Sequence, residues 1–390
     1  MKNKKTTAPK LRFPEFREAG EWSAEDLGDI CQPQQWPTIS STDLVPKGYP
    51  VYGANGFIGY FTNFNHEFES VSVTCRGSTC GEVSLIPAKS YITGNSMCLD
   101  EIDASRISYL FIYHLLKHRG FNDVISGSAQ PQIVGKAIRK INVALPFIDE
   151  QQKIAACLTS LDDLITNQSQ KIKALQAHKK GLMQQLFPAE GETVPRVRFN
   201  EFREAGEWEE KILGQVAKYE NGKAHEQDIA ETGAFVVVNS KFISTNGEVR
   251  KRTNMPFSLA KKGDILMVLS DIPNGKAIAK CFFVDTDNLY TVNQRICKIT
   301  SSKAVGIMLF YSLNRNPYFL SFDDGVKQTN LRNEDVLNCP IFLPINTKEQ
   351  QKIADCLSSL DDLITTQSQK LEALKAQKKG LMQGIFPRAC

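Results

Sequence analysis

Apolar residues recur at helical spacing in two long stretches of the chain, residues 150–188 and 349–387. In each stretch they fall in the a and d rows of a heptad repeat, and the rest of the helix surface is polar. So narrow an apolar stripe is typical of a coiled-coil seam. We therefore predict two long helices that pair with each other in antiparallel orientation. The predicted seam residues are Ile154, Leu158, Leu161, Ile165, Gln168, Ile172, Leu175, Leu182, Ile353, Leu357, Leu360, Ile364, Gln367, Leu371, Leu374 and Leu381.

Polar residues interrupt the seam at matching places, with Gln168 and Lys179 in the first stretch and Gln367 and Lys378 in the second. Buried polar residues cost stability in a coiled coil but fix its register and orientation. Gln168 lies near the middle of its helix, so antiparallel pairing would place the two glutamines in neighbouring central layers. Thirty-six helical residues would span about 54 Å, which is long enough to hold two bodies apart. Periodicity by itself also fits helices that serve only for packing or dimerisation.

The two stretches are copies of one another, with 30 of 39 paired positions identical at a spacing of 199 residues. A second pair of segments, residues 12–22 and 198–208, is identical at ten of eleven positions. Each half of the chain thus runs from a leading segment through a variable body into a long helix. A two-copy repeat is too short for a solenoid. The predicted domain boundaries are 1–147 and 189–346 for the two bodies, and 148–188 and 347–390 for the two helices.

The bodies contain short runs rich in β-branched and aromatic residues, such as SVSVTC and DILMVL, separated by Gly, Pro and Asn. These runs predict strands. Late in each body a longer apolar run, ISYLFIYHLLKH in the first and GIMLFYSLN in the second, predicts a buried helix. The predicted fold class is therefore α+β, with two homologous strand-rich domains separated by two long helices that form an antiparallel coiled coil.

The composition is that of a globular protein, with 42% hydrophobic and 23% charged residues among 390. The chain has no apolar run long enough for a membrane span, and the basic start MKNKKTTAPK lacks the apolar segment of a secretory signal. We therefore expect a cytoplasmic protein whose ten cysteines are reduced thiols. A formal net charge of +4 is too small to indicate nucleic-acid binding. Any phosphate-binding surface must be local, for example at Arg250, Lys251 and Arg252 or at the doubled lysines 179–180 and 378–379.

Two variable domains that alternate with two near-identical helices resemble the specificity subunits (HsdS, S protein) of type I restriction-modification systems. LPFIDEQQKIA and LPINTKEQQKIA resemble the junction between body and helix in that family, and SLDDLI followed by KKGLMQ and a Phe-Pro stop resembles its helix. YPVYGANGFIGYF, RGSTCGEV and YITGNSM resemble one common type of target recognition domain. GVKQTNLRNEDVLNCPIFLP resembles the usual end of such a domain. The resemblance covers essentially the whole chain.

This resemblance implies a non-catalytic, DNA-binding subunit of a restriction endonuclease and adenine-N6 methyltransferase complex. Each body would be a target recognition domain that reads one half of a bipartite, asymmetric target in double-stranded DNA. The helices would act as a ruler and as a docking platform for type I methyltransferase (M) subunits, two of them, with restriction/translocase (R) subunits joining the complex. No cofactor is implied for this chain; S-adenosylmethionine, ATP and Mg are expected on the partner subunits. Equal helices offer equivalent surfaces to two copies of one partner, which is a physical reason for the duplication.

The side chains that read base edges are Arg at guanine and Asn or Gln at adenine, whereas Lys and main-chain amides mostly hold phosphates. Loops of both bodies carry such residues, although the same residue types are ordinary in loops and Asn55-Gly56 is a good hairpin turn whatever the function. Arg76 roughly corresponds to Asp271, so the two bodies should prefer different bases. The DNA-binding candidates are Asn55, Arg76, Ser78, Gln130 and Gln132 in the first body, and Lys241, Arg252, Ser270, Asp271, Asn274, Lys327, Gln328 and Asn330 in the second, with Lys241 and Arg252 as phosphate contacts.

Patterns that resemble enzyme or metal sites are incomplete. The glycines of GANGFIG have the spacing of a cofactor loop, but YFTNF follows instead of a helix, which favours a hairpin. NPYF at 316–319 is one residue short of the Asn-Pro-Pro-aromatic motif of amino-methyltransferases, and no cofactor motif precedes it. His114 with His118, and Cys75 with Cys80, lack the further ligands that a metal site needs. We therefore expect no catalytic residue and no metal.

Two other functions remain open on the residues alone. One is a coiled-coil scaffold whose two domains bind protein partners, and the other is a fused modification enzyme. The missing methyltransferase motifs argue against the enzyme. Binding to DNA in the presence of competitor DNAs would separate a scaffold from a specificity subunit.

Overall fold

The computed structural model describes residues 9–127 and 130–387, so the basic start up to residue 8 and Cys390 lie outside the described residues. The chain divides into two compact units. One contains the residues up to Lys171 together with those from Gln367 onward, and the other is Ile172–Thr366. Each unit thus combines one strand-rich body with part of each long helix, and the predicted α+β class is confirmed. In the described residues, every helix is too short or too polar to cross a membrane.

In its described residues, the first unit has a body of nine strands and three α-helices besides the long one. Four strands form an antiparallel sheet in the order β2-β8-β5-β6, three form a sheet in the order β4-β3-β7 with β3 and β7 parallel, and β1 pairs with β9. The elements are β1 Ser23–Asp26, α1 Leu27–Ile30, β2 Gln32–Gln35, β3 Tyr49–Gly53, β4 Gly56–Phe61, β5 Ser70–Thr74, β6 Val83–Ile86, β7 Tyr91–Ile92, β8 Ser96–Asp100, α2 Tyr109–Arg119, α3 Gly135–Arg139, β9 Asn142–Leu145 and the long helix α4 Ile148–Leu186.

The second unit repeats this plan with different sequence. Its four-stranded sheet has the order β11-β18-β14-β16, its three-stranded sheet has the order β13-β12-β17, and two short pairs join β10 with β20 and β15 with β19. The elements are β10 Glu209–Ile212, β11 Ala217–Asn221, β12 Phe235–Val238, α5 Ser240–Ser244, β13 Lys251–Thr253, β14 Ile265–Val268, β15 Ser270–Asp271, β16 Cys281–Phe283, β17 Tyr290–Val292, β18 Ile296–Ser301, α6 Gly306–Leu313, α7 Pro317–Leu320, β19 Thr329–Asn330, α8 Asn333–Leu337, β20 Pro340–Leu343 and the long helix α9 Thr347–Ile385.

The buried helices predicted in both bodies are α2 and α6. A hydroxyl caps α2, because Ser108 Oγ accepts a hydrogen bond from Phe111 N at 3.4 Å, and Gly120 ends it at a φ of 68°. A glutamine of the long helix also holds the start of each: Gln151 Oε1 accepts from Ser108 N at 3.0 Å, and Gln350 Oε1 accepts from Val305 N at 2.9 Å. The second of the two adjacent glutamines at each body-to-helix junction is exposed, while the first is buried.

The long helices α4 and α9 have 39 residues each, which gives each a length of about 58 Å. Each helix is three residues longer than the thirty-six assumed in the length estimate. All sixteen predicted seam residues are buried or half-buried. The residues that surround the seam are mostly exposed.

In the first unit, the early part of α4 runs antiparallel to the late part of α9. Gln168 Nε2 donates to Gln367 Oε1 at 3.0 Å and to the Gln367 main-chain oxygen at 2.9 Å, so the two glutamines contact each other directly. Six residues earlier on α4, the Asp162 carboxylate binds the Lys378 ammonium, which lies later on α9. Residues earlier on α4 thus pair with residues later on α9, so the two helices are antiparallel.

In the second unit, the late part of α4 meets the early part of α9 through the equivalent contacts. Lys179 Nζ binds Asp361 Oδ1 at 2.5 Å, which is the Lys378 and Asp162 pair with the roles of the helices exchanged. Leu186 is buried in one core with Ile353 and Leu357. Lys179 and Lys378 are therefore seam residues with carboxylate partners, whereas the neighbouring Lys180 and Lys379 are exposed.

The end of each long helix is anchored in a body by an aromatic ring. Phe386, next to the end of α9, packs edge-on against Phe111 of α2, with ring centroids 5.7 Å apart. Phe187, next to the end of α4, packs in the same way against Trp208 of the second body at 5.9 Å. The Phe-Pro stops thus belong to the hydrophobic cores and do not only end the helices.

We expect the combined substitution of Leu161, Leu175, Leu360 and Leu374 by Ala to lower the free energy of unfolding by about 4 kcal/mol or more, because truncating one buried leucine costs roughly 2–5 kcal/mol. Chemical denaturation measures the loss, and small-angle scattering reports compactness. Leu164→Ala with Leu363→Ala is the matched control, since these leucines lie in the same helices but are 50% and 39% exposed. Unchanged melting and compactness in the seam variant would show that the seam is assigned wrongly.

His114 of α2 is buried against the coiled coil. Its Nε2 lies 3.1 Å from Thr159 Oγ1, and its Nδ1 lies 3.9 Å from Asp162 Oδ2. Burial lowers the pKa of His114 to about 4, and the positive charge of Lys378 adds to this effect. The folded protein therefore resists protonation of this ring.

An unfolded histidine takes up a proton near pH 6.5, whereas folded His114 does so only near pH 4. The stability contributed by neutral His114 is therefore present above pH 6.5 and is lost as the pH falls toward 4, by about 3 kcal/mol. We expect His114→Gln, which cannot titrate, to be less sensitive to acid than the wild type in this range. Denaturation midpoints at pH 7, 5.5 and 4.5 test this, and parallel pH curves for the two proteins would contradict it.

Candidate nucleic-acid interface

The loop after β5 carries Arg76 at an edge of the first body. Arg76 forms an antiparallel bridge with Gln132, because Ile133 N donates to Cys75 O at 3.0 Å and Gly77 N donates to Pro131 O at 3.2 Å. Two distant segments of the chain are thus held side by side by their main chains. Both side chains of the bridge are exposed.

The β3–β4 hairpin brings Asn55 to the same loop. Thr79 Oγ1 donates to Ala54 O at 2.9 Å and approaches Asn55 Oδ1 at 3.3 Å. Asn55 lies in the turn between β3 and β4, as the hairpin interpretation of GANGFIG predicts. The hairpin tip is therefore tied to the loop that carries Arg76 and Ser78.

The five candidates of the first body form one exposed edge, which we call the first rim: Asn55, Arg76, Ser78, Gln130 and Gln132. The segment before Gln130 is tight. Gly127 has a φ of 86°, and a Cβ at this position would meet Gln130 O at 2.6 Å, so only glycine fits. Residues 128 and 129 of the run SGSAQPQI lie outside the described residues. The first rim offers one guanidinium, three amides and a hydroxyl, which are the groups that bind base edges.

A second rim has the same construction in the second body. Ser270 pairs with Asn330 and Asp271 pairs with Thr329 in the short β15–β19 ladder. Gln328 Nε2 donates to Ser270 Oγ at 2.8 Å and to Asn330 Oδ1 at 3.1 Å. The loops that carry the remaining candidates meet where Asn274 Nδ2 donates to Gly325 O at 3.1 Å. We define the second rim as Ser270, Asp271, Asn274, Lys327, Gln328 and Asn330.

Backbone pairing corrects the correspondence between the two rims. Leu331 N donates to Leu269 O at 2.8 Å, as Ile133 N donates to Cys75 O in the first body. The residue after Leu269 is Ser270, so Ser270 and not Asp271 occupies the place of Arg76. Gln132 likewise matches Asn330. The predicted correspondence of Arg76 with Asp271 is one residue out of register, because the two bodies share too few identical residues to align them.

Asp271 is committed to the loop that it begins. Its Oδ1 accepts from Ile272 N at 2.9 Å, and its Oδ2 accepts from Ala277 N at 2.6 Å and Ile278 N at 3.1 Å. A carboxylate with three main-chain donors holds the loop in shape and has little capacity left for a base. Ser270 is buried and accepts from Gln328. The exposed groups of the second rim are therefore Asn274, Lys327, Gln328 and Asn330.

The two phosphate candidates of the second body lie elsewhere. Lys241 is exposed on α5, and Arg252 is half-buried in β13, where its Nη1 donates to Gly233 O at 3.0 Å. β13 belongs to the three-stranded sheet, and α5 packs on β12 of the same sheet. The structure does not bring these two residues into the second rim.

Sequence reasoning missed two residues that touch the first rim. Gln35 Nε2 donates to Gly94 O at 2.7 Å and to Cys75 Sγ at 2.9 Å, directly beside Arg76. Thr79 connects the hairpin tip to the loop. The signal for Gln35 was the unusual run QPQQ, which places three glutamines in one short strand. The signal for Thr79 was only its place in RGSTCG.

The enzyme-like motif NPYF has a structural explanation. Asn316 caps α7, with its Oδ1 accepting from Tyr318 N at 2.9 Å, and its Nδ2 donates to Ser312 O at 2.8 Å. Both ends of the amide are therefore occupied by local structure. His114 and His118 are also separated in their contacts, since His118 packs on Phe386 while His114 faces Thr159.

One cluster of metal-ligand type occurs among the described residues, at His66, Cys98 and Asp100, whose ligand atoms lie within 4.8 Å of one another. Hydrogen bonds already account for the polar groups. His66 Nδ1 lies 2.6 Å from Asn65 Oδ1, His66 Nε2 lies 3.0 Å from Asp100 Oδ1, and Trp36 Nε1 donates to Asp100 Oδ2 at 2.9 Å. Burial raises the pKa of the Cys98 thiol far above its ordinary value. We assign this cluster to packing within the first body.

The nine cysteines in the described part of the chain are all free. Burial raises the pKa of Cys31, Cys297 and Cys339 to about 12, so these thiols stay protonated at neutral pH. Cys75, beside the first rim, has a raised pKa for the same reason. These four buried cysteines therefore behave as core residues.

Comparisons with known proteins agree with the arrangement of two bodies and two helices. The family model of the type I restriction modification DNA specificity domain matches the chain twice, over residues 20–177 and 205–376. The specificity subunit of the type I restriction enzyme MjaVIII from Methanocaldococcus jannaschii is 26% identical over 95% of this chain and 92% of its own length. That of EcoprrI from Escherichia coli is 27% identical over 37% of each chain.

The fold is also that of a solved protein. The crystal structure of the type I restriction-modification system S subunit from M. genitalium superimposes with a TM-score of 0.71 at 16% identity, covering 98% of this chain and 100% of the other. At this identity the likeness concerns the fold alone.

We expect Arg76→Ala to reduce discrimination at one base position of the DNA target by roughly 1–3 kcal/mol, because a bidentate arginine contact with guanine carries that much. Methylation-protection assays on oligonucleotides that differ at single positions measure the effect. Arg17→Ala is the control, since it removes an exposed arginine of the leading segment outside the first rim. If recognition at every position is the same in the Arg76 variant and the wild type, Arg76 does not read DNA.

Proposed function

This chain belongs to the family of type I restriction-modification DNA specificity subunits, and from that premise we propose that it selects the DNA sequence on which its partner subunits act. The chain has two target recognition domains and is itself the non-catalytic member of the complex. Each recognition domain, residues 1–147 and 189–346, reads one half of a bipartite target. The long helices between them set the number of base pairs that separate the half-sites.

The observation that carries this proposal is the pair of rims. Both rims rest on the same main-chain pairing, yet Arg76 and Gln132 stand in the first where Ser270 and Asn330 stand in the second. The same frame with different hydrogen-bonding groups suits two recognition surfaces that read unlike sequences. The target is therefore asymmetric. A scaffold that holds one kind of protein partner at two places would need similar surfaces.

The duplicated helices support a proposal about the protein partners. They are identical at 30 of 39 paired positions, although only the seam needs matched residues for packing. Equal outer surfaces suit two copies of one partner, which we propose to be two methyltransferase subunits. Restriction/translocase subunits then join the complex, which works in the cytoplasm.

The chemistry belongs to those partners in this proposal. S-adenosylmethionine, ATP and Mg are bound by the methyltransferase and restriction subunits and not by this chain. The polar side chains of the two rims bind base edges and phosphates, and their contribution is specificity and not catalysis.

Mapping of methylated adenines across a genome, with this gene present and deleted beside an active methyltransferase gene, tests the function. We expect one bipartite motif to lose methylation when the gene is absent, because its recognition domains select both half-sites. Exchange of residues 1–147 for the corresponding domain of another specificity subunit should alter only one half of the motif. An identical methylation map with and without the gene would contradict the proposal.

Insertion of one heptad into both helices at equivalent positions tests the role of the helices as a ruler. Seven residues lengthen a helix by about 10.5 Å, which is about three base pairs of B-DNA. We expect the methylated motif to keep both half-sites while its spacer grows by about three base pairs. A spacer that stays unchanged in this variant would exclude the ruler.

A further inference from the structure

The leading segments, residues 12–22 and 198–208, are nearly identical, but the rims and the seam give no reason for that similarity. In each unit this segment begins beside the long helices and then enters its body through a buried tryptophan, Trp22 or Trp208. Its contacts with the helices are duplicated together with its sequence.

In the first unit, Arg12 binds a glutamate in the first turn of α4. Arg12 Nε donates to Glu150 Oε1 at 2.8 Å, and Arg12 Nη2 donates to Glu150 Oε2 at 2.6 Å. The Glu150 side chain is 1% exposed. The third nitrogen, Nη1, donates to Gly20 O at 2.6 Å, which folds the segment back on itself. A buried bidentate pair of this kind fixes both distance and direction.

In the second unit, Arg198 makes the same contacts with the first turn of α9. Its Nε donates to Glu349 Oε1 at 2.7 Å, its Nη2 to Glu349 Oε2 at 2.8 Å, and its Nη1 to Gly206 O at 3.0 Å. The Glu349 side chain is also 1% exposed. The two bodies differ in sequence almost everywhere, so this agreement points to a shared requirement of the helices.

The residue just before each leading segment binds the end of the other long helix. Leu11 N donates to Gly384 O near the end of α9 at 2.8 Å, and Val197 N donates to Gln185 O near the end of α4 at 3.0 Å. One short segment therefore connects the first turn of one helix to the last turn of its antiparallel partner. This connection occurs once in each unit.

We propose that the two leading segments are clasps that lock the axial register of the coiled coil, with Arg12 and Arg198 as positioning residues for the spacing of the recognition domains. This inference rests on the proposed function, in which the helices set the spacer length. A seam of heptads can slip along its axis without exposing its leucines, because its apolar pattern repeats every seven residues. The Gln168–Gln367 pair and the two lysine–aspartate pairs resist slip within the seam. At each helix end, an aromatic anchor and a clasp resist it together.

In this proposal, motion along the seam changes the distance between the recognition domains and therefore the DNA spacing. A shift of about 3.4 Å between the helices corresponds to one base pair, and a slip of one heptad, about 10.5 Å, corresponds to about three. A loosened clasp therefore widens the range of spacers that the protein accepts, while each rim continues to read its own half-site. Loss of stability alone would instead lower methylation at every spacer together.

The experiment uses the full chain assembled with its methyltransferase subunits. Duplexes carry both half-sites with spacers from four base pairs shorter to four base pairs longer than that of the wild type, and initial methylation rates are measured on each. Two variants loosen the clasps: Arg12→Lys with Arg198→Lys, which keeps the charges but loses the bidentate geometry, and Glu150→Gln with Glu349→Gln, which keeps the shape but loses the ion pairs.

The matched control is Lys153→Met with Lys352→Met. These lysines bind Glu15 at 3.3 Å and Glu201 at 3.2 Å between the same segments and helix turns, but their side chains are about half exposed. Exposed ion pairs hold position weakly, so we expect the control to discriminate spacers as the wild type does.

We expect both clasp variants to keep the half-site sequences and to lose about tenfold or more of the preference for the wild-type spacer over its neighbours, since a broken buried ion pair is worth more than one decade in an equilibrium constant. Unchanged discrimination in both clasp variants overturns the proposal. A uniform loss of methylation at all spacers assigns the clasps a purely structural role and overturns it as well. A wild-type protein that accepts every spacer equally refutes the ruler function itself, and this inference with it.

Discussion

The antiparallel contact between α4 and α9 is the constraint on which the rest of the structure depends. Two kinds of contact define this pairing in both units. Leucine and isoleucine side chains exclude water, and polar pairs fit only one register. The bond between Gln168 and Gln367 and the pairing of Lys378 with Asp162 occur in one unit, and Lys179 with Asp361 repeats the second of these in the other. Apolar burial stabilises the pair, while the directional polar contacts select its alignment.

The same helices also complete the cores of the bodies. Ile154 and Leu158 of α4 share a core with Met382 and Ile385 of α9, and Ile353 and Leu357 of α9 share a core with Leu186 of α4. Neither body is therefore closed by its own strands alone. This explains why the compact units cut across both helices, whereas the repeat boundaries in the sequence fall between body and helix. The boundaries of the sequence repeat and the boundaries of the compact units therefore differ in this protein.

The side chains that differ between the two rims lie at positions where the supporting main-chain pairing does not depend on them. The main-chain bridge that supports Arg76 in the first rim supports Ser270 in the second, and both are followed by loops held through backbone or short polar contacts. Main-chain hydrogen bonds form whatever side chains point to solvent. Different recognition groups can therefore be exposed on the same ladder without a change of fold. Asp271 is the exception, because its carboxylate holds its own loop through three amide donors.

The sequence by itself determined the two helices, their pairing and the duplicated plan, because heptad periodicity and repetition can be read without knowledge of distant contacts. Short runs of β-branched residues indicated the α+β class, and the resemblance of whole motifs indicated the family. It also located the loops of both rims. Only the tertiary structure decided the register between Arg76 and Ser270, the commitment of Asp271 to its loop, the burial of His114 and the ion pairs of Lys179 and Lys378. It alone joined Arg12 to Glu150, which lies 138 positions away. Each of these depends on which distant segments the fold brings together. The type of a side chain does not identify its partner, because the packing of strands and helices determines which residues come into contact.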